Sequence, residues 1–182
     1  MSFSIFRNAA FAAAVSLVPT VSLAQDVFGT IDANIDGKER TWFLTSQDNT
    51  SQTFGLTIAI ANLQSFSLWG QPTEQSLKAV DDSLLFTFDV MSVADQMIPL
   101  NASVMFLEDG WKSGWLANEA DKISLSLTTL KKSDEGVFVE GNFNATAGYA
   151  EPLSSGEVDA SRTKQITGSF SATLPLFVLK EQ

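Results

Sequence analysis

Apolar and polar side chains alternate along most of the chain after residue 25. Four clear runs of this kind are residues 54–60, 84–90, 100–106 and 123–127. A period of two places the apolar side chains on one side of a β-strand and the polar ones on the other. Antiparallel sheets with one solvated face show this pattern, whereas buried parallel strands are apolar throughout. The pattern therefore predicts antiparallel strands around a core.

Turn sequences separate the alternating runs. Asp36-Gly37, Asp109-Gly110 and Glu135-Gly136 predict short connections, and residues 148–164 predict the longest linker. We expect about eight to ten strands in one all-β domain, most simply an antiparallel two-sheet β-sandwich. A closed or partly closed β-barrel would give the same pattern and is the alternative.

One short pattern occurs three times, namely glycine, any residue, isoleucine or phenylalanine, any residue, alanine. It covers residues 29–33, 141–145 and 168–172. Within a strand, the glycine, the large residue and the alanine share one face, so an opposing layer can approach closely at the small positions. We interpret the pattern as three strands with similar packing. A chance product of strand composition is the alternative interpretation.

The first 24 residues have the features of a secretory signal peptide. Arg7 is followed by a short apolar segment, residues 9–18, and then by Pro19 and the small residues Ser22 and Ala24. A membrane anchor is the alternative, but an apolar segment of this length is too short for a span of about 20 residues. We expect cleavage after Ala24, a single all-β domain over residues 25–182, and a bacterial periplasmic or secreted location.

The charge balance bears on the choice of partner. The chain carries 21 acidic and 11 basic residues, a net charge of −10. Arg7 is the only charged residue before position 25, so removal of the leader leaves a net charge of −11. A negative protein is a poor ligand for nucleic acid or an anionic membrane surface. The partner is therefore expected to be an envelope or extracellular molecule of unknown identity, with no membrane span in the mature chain.

The chain contains no histidine and no cysteine. The usual base of serine and cysteine nucleophiles and the usual ligands of zinc, copper and iron are therefore missing from the sequence. The adjacent carboxylates Asp81-Asp82, Glu108-Asp109 and Asp134-Glu135 lie beside predicted turns. Neighbours on a strand point to opposite faces, so such doublets do not form a glycosidase pair. We expect neither enzymatic activity nor a cofactor.

One segment resembles the start of a calcium-binding loop. Asp32, Asn34, Asp36 and Gly37 match positions one, three, five and six of an EF-hand, but the position of the bidentate glutamate holds Phe43. An extended strand would also hold Asp32 and Asn34 side by side rather than converging on one ion. These residues therefore predict the solvated face of a first strand and its hairpin turn, with a metal site as the less favoured interpretation.

Two tryptophans are the best candidates for ligand contact. Trp111 and Trp115 are expected on the same face of one strand, where exposed rings could stack on sugars. The alternative is that both belong to the core, the usual location of large aromatic residues.

The "IDG" segment at residues 35–37, Trp42 soon after it, and the closing segment "TGSFSATL" at residues 167–174 resemble small exported bacterial β-proteins of unknown function. Several such families have an N-terminal "IDG" hairpin and a C-terminal strand of this type. The resemblance implies an all-β fold and an envelope or extracellular location, and it transfers no catalytic or binding residue.

These observations favour an exported, non-catalytic protein with a structural or interaction role in the cell envelope or extracellular space. The first alternative is a binding module for a carbohydrate or another small ligand. The second is a barrel that holds an apolar ligand among phenylalanines, of which the full chain has 14 and residues 25–182 have 11. A concave pocket with converging polar groups would favour ligand binding.

Overall fold

The computed structural model describes residues 25–47, 50–58, 62–94, 96–133 and 136–179. The predicted signal peptide lies outside the described residues. The strands, in chain order, are β1 (Asp26–Ile35), β2 (Lys38–Ser46), β3 (Phe54–Ile58), β4 (Leu63–Gly70), β5 (Ser83–Val93), β6 (Gln96–Trp111), β7 (Ser113–Ala117), β8 (Ile123–Ser133), β9 (Gly136–Ala150), β10 (Asp159–Leu174) and β11 (Leu176–Leu179).

All eleven of these strands belong to one sheet. The order across it is β11-β3-β4-β5-β6-β7-β9-β10-β1-β2, and β8 pairs with β9 beside β7. Only the pairing of β11 with β3 is parallel among the described strands. The sheet curls so far that β2 returns to the end of β4, where Phe43 and Gln71 exchange two main-chain hydrogen bonds of 2.9 and 2.8 Å.

The predicted all-β, antiparallel fold class is confirmed. The described strands exceed the eight to ten expected, and they form a half-barrel in which opposite parts of one curled sheet face each other. Phe86 on β5 lies against Phe143 on β9, with ring centroids 4.7 Å apart, and 5.3 Å from Phe170 on β10. These facing parts pack as the two layers of a sandwich do.

The core follows from the alternation. Ile31, Trp42, Phe86, Val104 and Phe170 are at most 2 % exposed and point inward from five different strands. A second, smaller apolar cluster lies on the outer face of β6 and β7. There Leu107 and Leu116 are covered by Leu153, which belongs to a single turn of 3-10 helix at Leu153–Ser155. Because β9 extends to Ala150 and β10 begins at Asp159, the connection predicted at residues 148–164 is shortened to residues 151–158.

The three copies of the glycine-containing pattern lie on β1, β9 and β10, which are neighbours in the sheet. Gly168 pairs with Phe143, and Gly141 pairs with Phe170. A Cβ atom added at Gly168 would lie 2.8 Å from Cζ of Phe143, and one at Gly141 would lie 2.9 Å from Cζ of Phe170. Gly168 and Gly141 therefore make room for rings of the adjacent strand, and Gly29 lies against Ala172 of β10, so the close contacts are with adjacent strands and not with an opposing layer as predicted.

The first hairpin matches its prediction. β1 ends at Ile35 and β2 begins at Lys38. Asp36 and Gly37 between them have φ values of 48° and 86°, as a two-residue turn matched to strand twist requires. Within the described residues, no helix has the length and apolar character needed to cross a membrane.

Candidate functional site

The outward face of five neighbouring strands carries two rows of polar side chains. Pairing places residues of β2, β1, β10, β9 and β8 side by side in that order. The aspartate row consists of Thr41, Asp32, Ser169, Asn142 and Ser126. The glutamate row consists of Glu39, Asn34, Thr167, Asn144 and Ser124. Every member is polar, and all except the half-buried Asn34 are exposed.

These rows line a groove of about 890 Å³. Adjacent strands lie roughly 4.8 Å apart, so five strands extend the groove to about 19 Å, and the two rows are separated by about 6.6 Å along the strands. Its floor is main chain backed by inward residues such as Ala33 and Phe143, which also contribute to its lining. The groove is therefore long, shallow and lined with groups that form hydrogen bonds.

Some of the groove's side chains are held by the fold. Thr41 Oγ1 donates to Asp32 Oδ1 at 2.5 Å, and the Gly37 N–H donates to Asn34 Oδ1 at 2.7 Å. In the part of the chain that the structure describes, Ser169, Asn142 and Ser126 make no side-chain hydrogen bond to protein. The β2 end of the groove is thus fixed, whereas the β8 end offers donors and acceptors to a ligand.

The groove is acidic. Its two rows contain the carboxylates of Asp32 and Glu39 and no lysine or arginine. Arg40 also borders it, but the Arg40 guanidinium donates to both carboxylate oxygens of Asp82 and lies 5.0 Å from the centroid of the Trp42 ring. The hydrogen bond to Asp82 raises the pKa of Arg40. The positive charge of Arg40 is therefore already paired with a carboxylate of the protein.

The residues of the apparent calcium loop make hydrogen bonds that stabilise the β1–β2 hairpin. Besides the contacts of Asp32 and Asn34, Asp36 Oδ1 accepts a hydrogen bond from the Gln165 N–H at 3.0 Å. Among the described residues, no group of three or more carboxylates is placed to hold a metal ion. The structure brings Asp32 and Asn34 together in the groove, while Asp36 ties the turn to β10.

The two tryptophans are separated, and the prediction that they share one strand face is wrong. Trp111 ends β6 and Trp115 lies on β7, because the chain turns between them with Lys112 N–H donating to the Asp109 carbonyl. Trp111 is 44 % exposed and contacts Trp69 edge to face, whereas Trp115 is 7 % exposed and belongs to the main core. Neither residue lines the polar groove.

A polar cluster surrounds Trp115 where the core meets solvent. Its indole Nε1 donates to Glu108 Oε2 at 2.8 Å, and Lys164 Nζ donates to Glu108 Oε1 at 3.0 Å. Partial burial raises the pKa of Glu108, but these two hydrogen bonds and the Lys164 charge outweigh it and hold the pKa below its ordinary value. Glu108 thus stabilises the position of a core aromatic side chain.

The polar groove was not predicted from the sequence. Alternation identifies outward residues on each strand, but a row forms only after strand order and register are known. The short polar residues in the segments around 32–34, 124–126, 142–144 and 167–169 were the available signal. On each strand taken alone, these residues have the pattern of an ordinary solvated face.

Comparison with known proteins identified no relative of this chain. The chain matches no protein-family model, and searches of curated proteins and of solved structures returned no similar protein. Function must therefore be argued from the site itself.

Proposed function

We propose that the protein is an exported, non-catalytic binding module of the cell envelope or extracellular space, and that its binding site is the polar groove. The observation that carries this proposal is the alignment of ten polar side chains in two rows along a shallow, open groove on the outer face of the sheet. Depressions of the surface that bring polar groups together are usual places of ligand recognition.

The composition of the rows supports binding rather than simple solvation. Serine, threonine and asparagine have short side chains, so holding them against a ligand costs less rotamer entropy than holding lysine or glutamate. They also both donate and accept hydrogen bonds. A face that served only solubility would equally well carry long charged residues, and the rows contain one glutamate and no lysine.

The alternative function, a barrel that holds an apolar ligand, has less support. Rings of Phe66, Phe86, Phe88, Phe143 and Phe170 contact one another inside the half-barrel, with centroids 4.7 to 5.4 Å apart. These contacts occupy the space in which an apolar ligand would have to lie.

Trp111 supports a second candidate, a stacking platform for a small ligand. Its ring is exposed and is held at 70° to Trp69, so it presents a fixed apolar face to solvent. This platform is outside the groove, which allows the two candidates to be tested separately.

The test is a thermal-shift screen of the purified protein with monosaccharides, oligosaccharides, polyols, amino acids, nucleosides and short peptides. Ser169→Arg fills the groove, and Thr173→Arg, an exposed position on the outer face of the same strand, is the matched control. We expect a ligand that raises the Tm of wild type and Thr173→Arg but not of Ser169→Arg. The proposal would be contradicted if a compound's Tm increase disappeared only in Trp111→Ala, or if no compound raised the Tm of wild type.

A further inference from the structure

We infer that the ligand of the groove is a neutral, linear oligosaccharide that lies across the five strands. This inference rests on the proposed function and adds the chemical class and the direction of the ligand. It is carried by the polar chemistry, the length and the charge of the groove.

The chemistry of the rows matches that of hydroxyl groups. A sugar hydroxyl donates one hydrogen bond and accepts others, so it needs partners of both kinds. Asn142 and Asn144 each carry an amide oxygen and an amide NH₂, and Ser169, between Asn142 and Asp32 in the aspartate row, offers a rotatable hydroxyl. These groups recur strand after strand, which suits a ligand whose hydroxyls also recur along its length.

The position of the groove argues against an extended peptide. Peptides that bind sheets add a strand to an exposed edge through main-chain hydrogen bonds. The main chain of β9, β10 and β1 beneath the groove is already paired on both sides, so an added strand could pair only with the outer edge of β2 or β8 and would not lie in the groove. Ligand contacts must instead come from side chains on the face.

The charge of the groove selects among sugars. Asp32 and Glu39 place two carboxylates in the rows, and the nearby Arg40 is bound to Asp82. An acidic saccharide would meet like charge without a compensating cation. The groove therefore favours neutral sugars over uronic acids or sulfated chains.

The length of the groove sets the size of the ligand. A single sugar ring would contact one or two strands, whereas a chain that crosses from β8 to β2 would contact all five. Affinity should therefore increase with chain length until the ligand spans the groove, and then remain constant.

The experiment is isothermal titration calorimetry of the purified protein with neutral linear oligosaccharides derived from cellulose, chitin and amylose, from monosaccharide to hexasaccharide. Oligogalacturonides of equal length are the acidic controls. We expect at least one neutral series to bind with length-dependent affinity. Asn142→Ala and Asn144→Ala should each weaken binding about 5-fold, the effect of one neutral hydrogen bond. Thr173→Ala should bind as wild type does.

The outcomes separate this inference from the proposed function. If another compound class binds at the groove and all oligosaccharides fail, the oligosaccharide assignment is overturned while the groove remains the site. If acidic chains bind as tightly as neutral ones, the charge argument is wrong. If oligosaccharides bind and Ser169→Arg, Asn142→Ala and Asn144→Ala leave their affinity unchanged, both the assignment and the site are wrong.

Discussion

Trp111 and Trp115 are four positions apart but have opposite environments. The turn between β6 and β7 leaves Trp111 on the outer surface beside Trp69 and returns Trp115 to the core, where it pairs with Phe106. The sequence prediction placed both on one strand because their even spacing fits a period of two. Such spacing is informative only within one strand, and the glycine at position 110, with φ of 57°, lies at the turn.

We predict that Trp111 dominates the collisional quenching of tryptophan fluorescence. Replacing Trp111 by Phe should remove the largest share of the acrylamide-accessible emission, because Trp69 is half-buried against residue 111, and Trp42 and Trp115 are at most 7 % exposed. Trp115→Phe is the matched control and should leave quenching nearly unchanged. Stern–Volmer titrations of the three proteins make this measurement, and equal loss of accessible emission in both variants would contradict the placement.

Glu108 supplies a prediction for pH dependence. Because its pKa is lowered in the folded protein, its contribution to the free energy of unfolding is fully present above the ordinary glutamate pKa of about 4.3. This contribution is lost as pH falls through the lowered folded-state pKa. Wild type should therefore exceed Glu108→Gln in stability at neutral pH, and the difference should shrink below about pH 4. Urea unfolding from pH 7 to pH 3 measures it, and a difference independent of pH would refute this role.

At the scale of the elements, β9 and β10 are joined by glycine–ring packing, and β10 and β1 are joined by pairs of glycine with alanine. Gly168 lies opposite Phe143 on one side and Ala33 on the other, so all three strands meet at this position. The repeated pattern predicted three similar strands correctly. It did not predict that they are adjacent, because strand order depends on contacts between residues far apart in sequence, such as Asp32 and Ser169.

Gly168→Ala should destabilise the protein by about 1 to 3 kcal/mol, the usual cost of overpacking a filled core. The added methyl group would lie 2.6 Å from the Asp32 carbonyl oxygen, which cannot move without displacing a paired strand, and 2.8 Å from the Phe143 ring, which is stacked on Phe86. Ser169→Ala, which changes the outward face at the next position, is the control and should cost little. Chemical denaturation would measure both, and equal stability of Gly168→Ala and wild type would show that these strands are packed less tightly.

At the scale of the whole molecule, one curled sheet produces both the core and the groove. In the five strands of the groove, alternation leaves the polar residues on the outer face, and pairing then aligns them. The sequence was sufficient for the all-β class, for the hairpin at Asp36-Gly37 and for the outward side chains of these strands, but not for β3, where Phe54 is 38 % exposed beside Ser67. It was insufficient for the groove, since Asn142 and Asp32 become members of one row only through the intervening β10.

The central claim is that this groove, rather than the Trp111 platform, is the binding site. The most direct measurement is amide chemical-shift mapping of the wild-type protein during titration with the compound that binds in the screen. We predict perturbations concentrated at residues 32–34, 39–41, 124–126, 142–144 and 167–169, with little change near Trp111. Perturbations centred on Trp69 and Trp111, with the five groove segments unchanged, would contradict the claim.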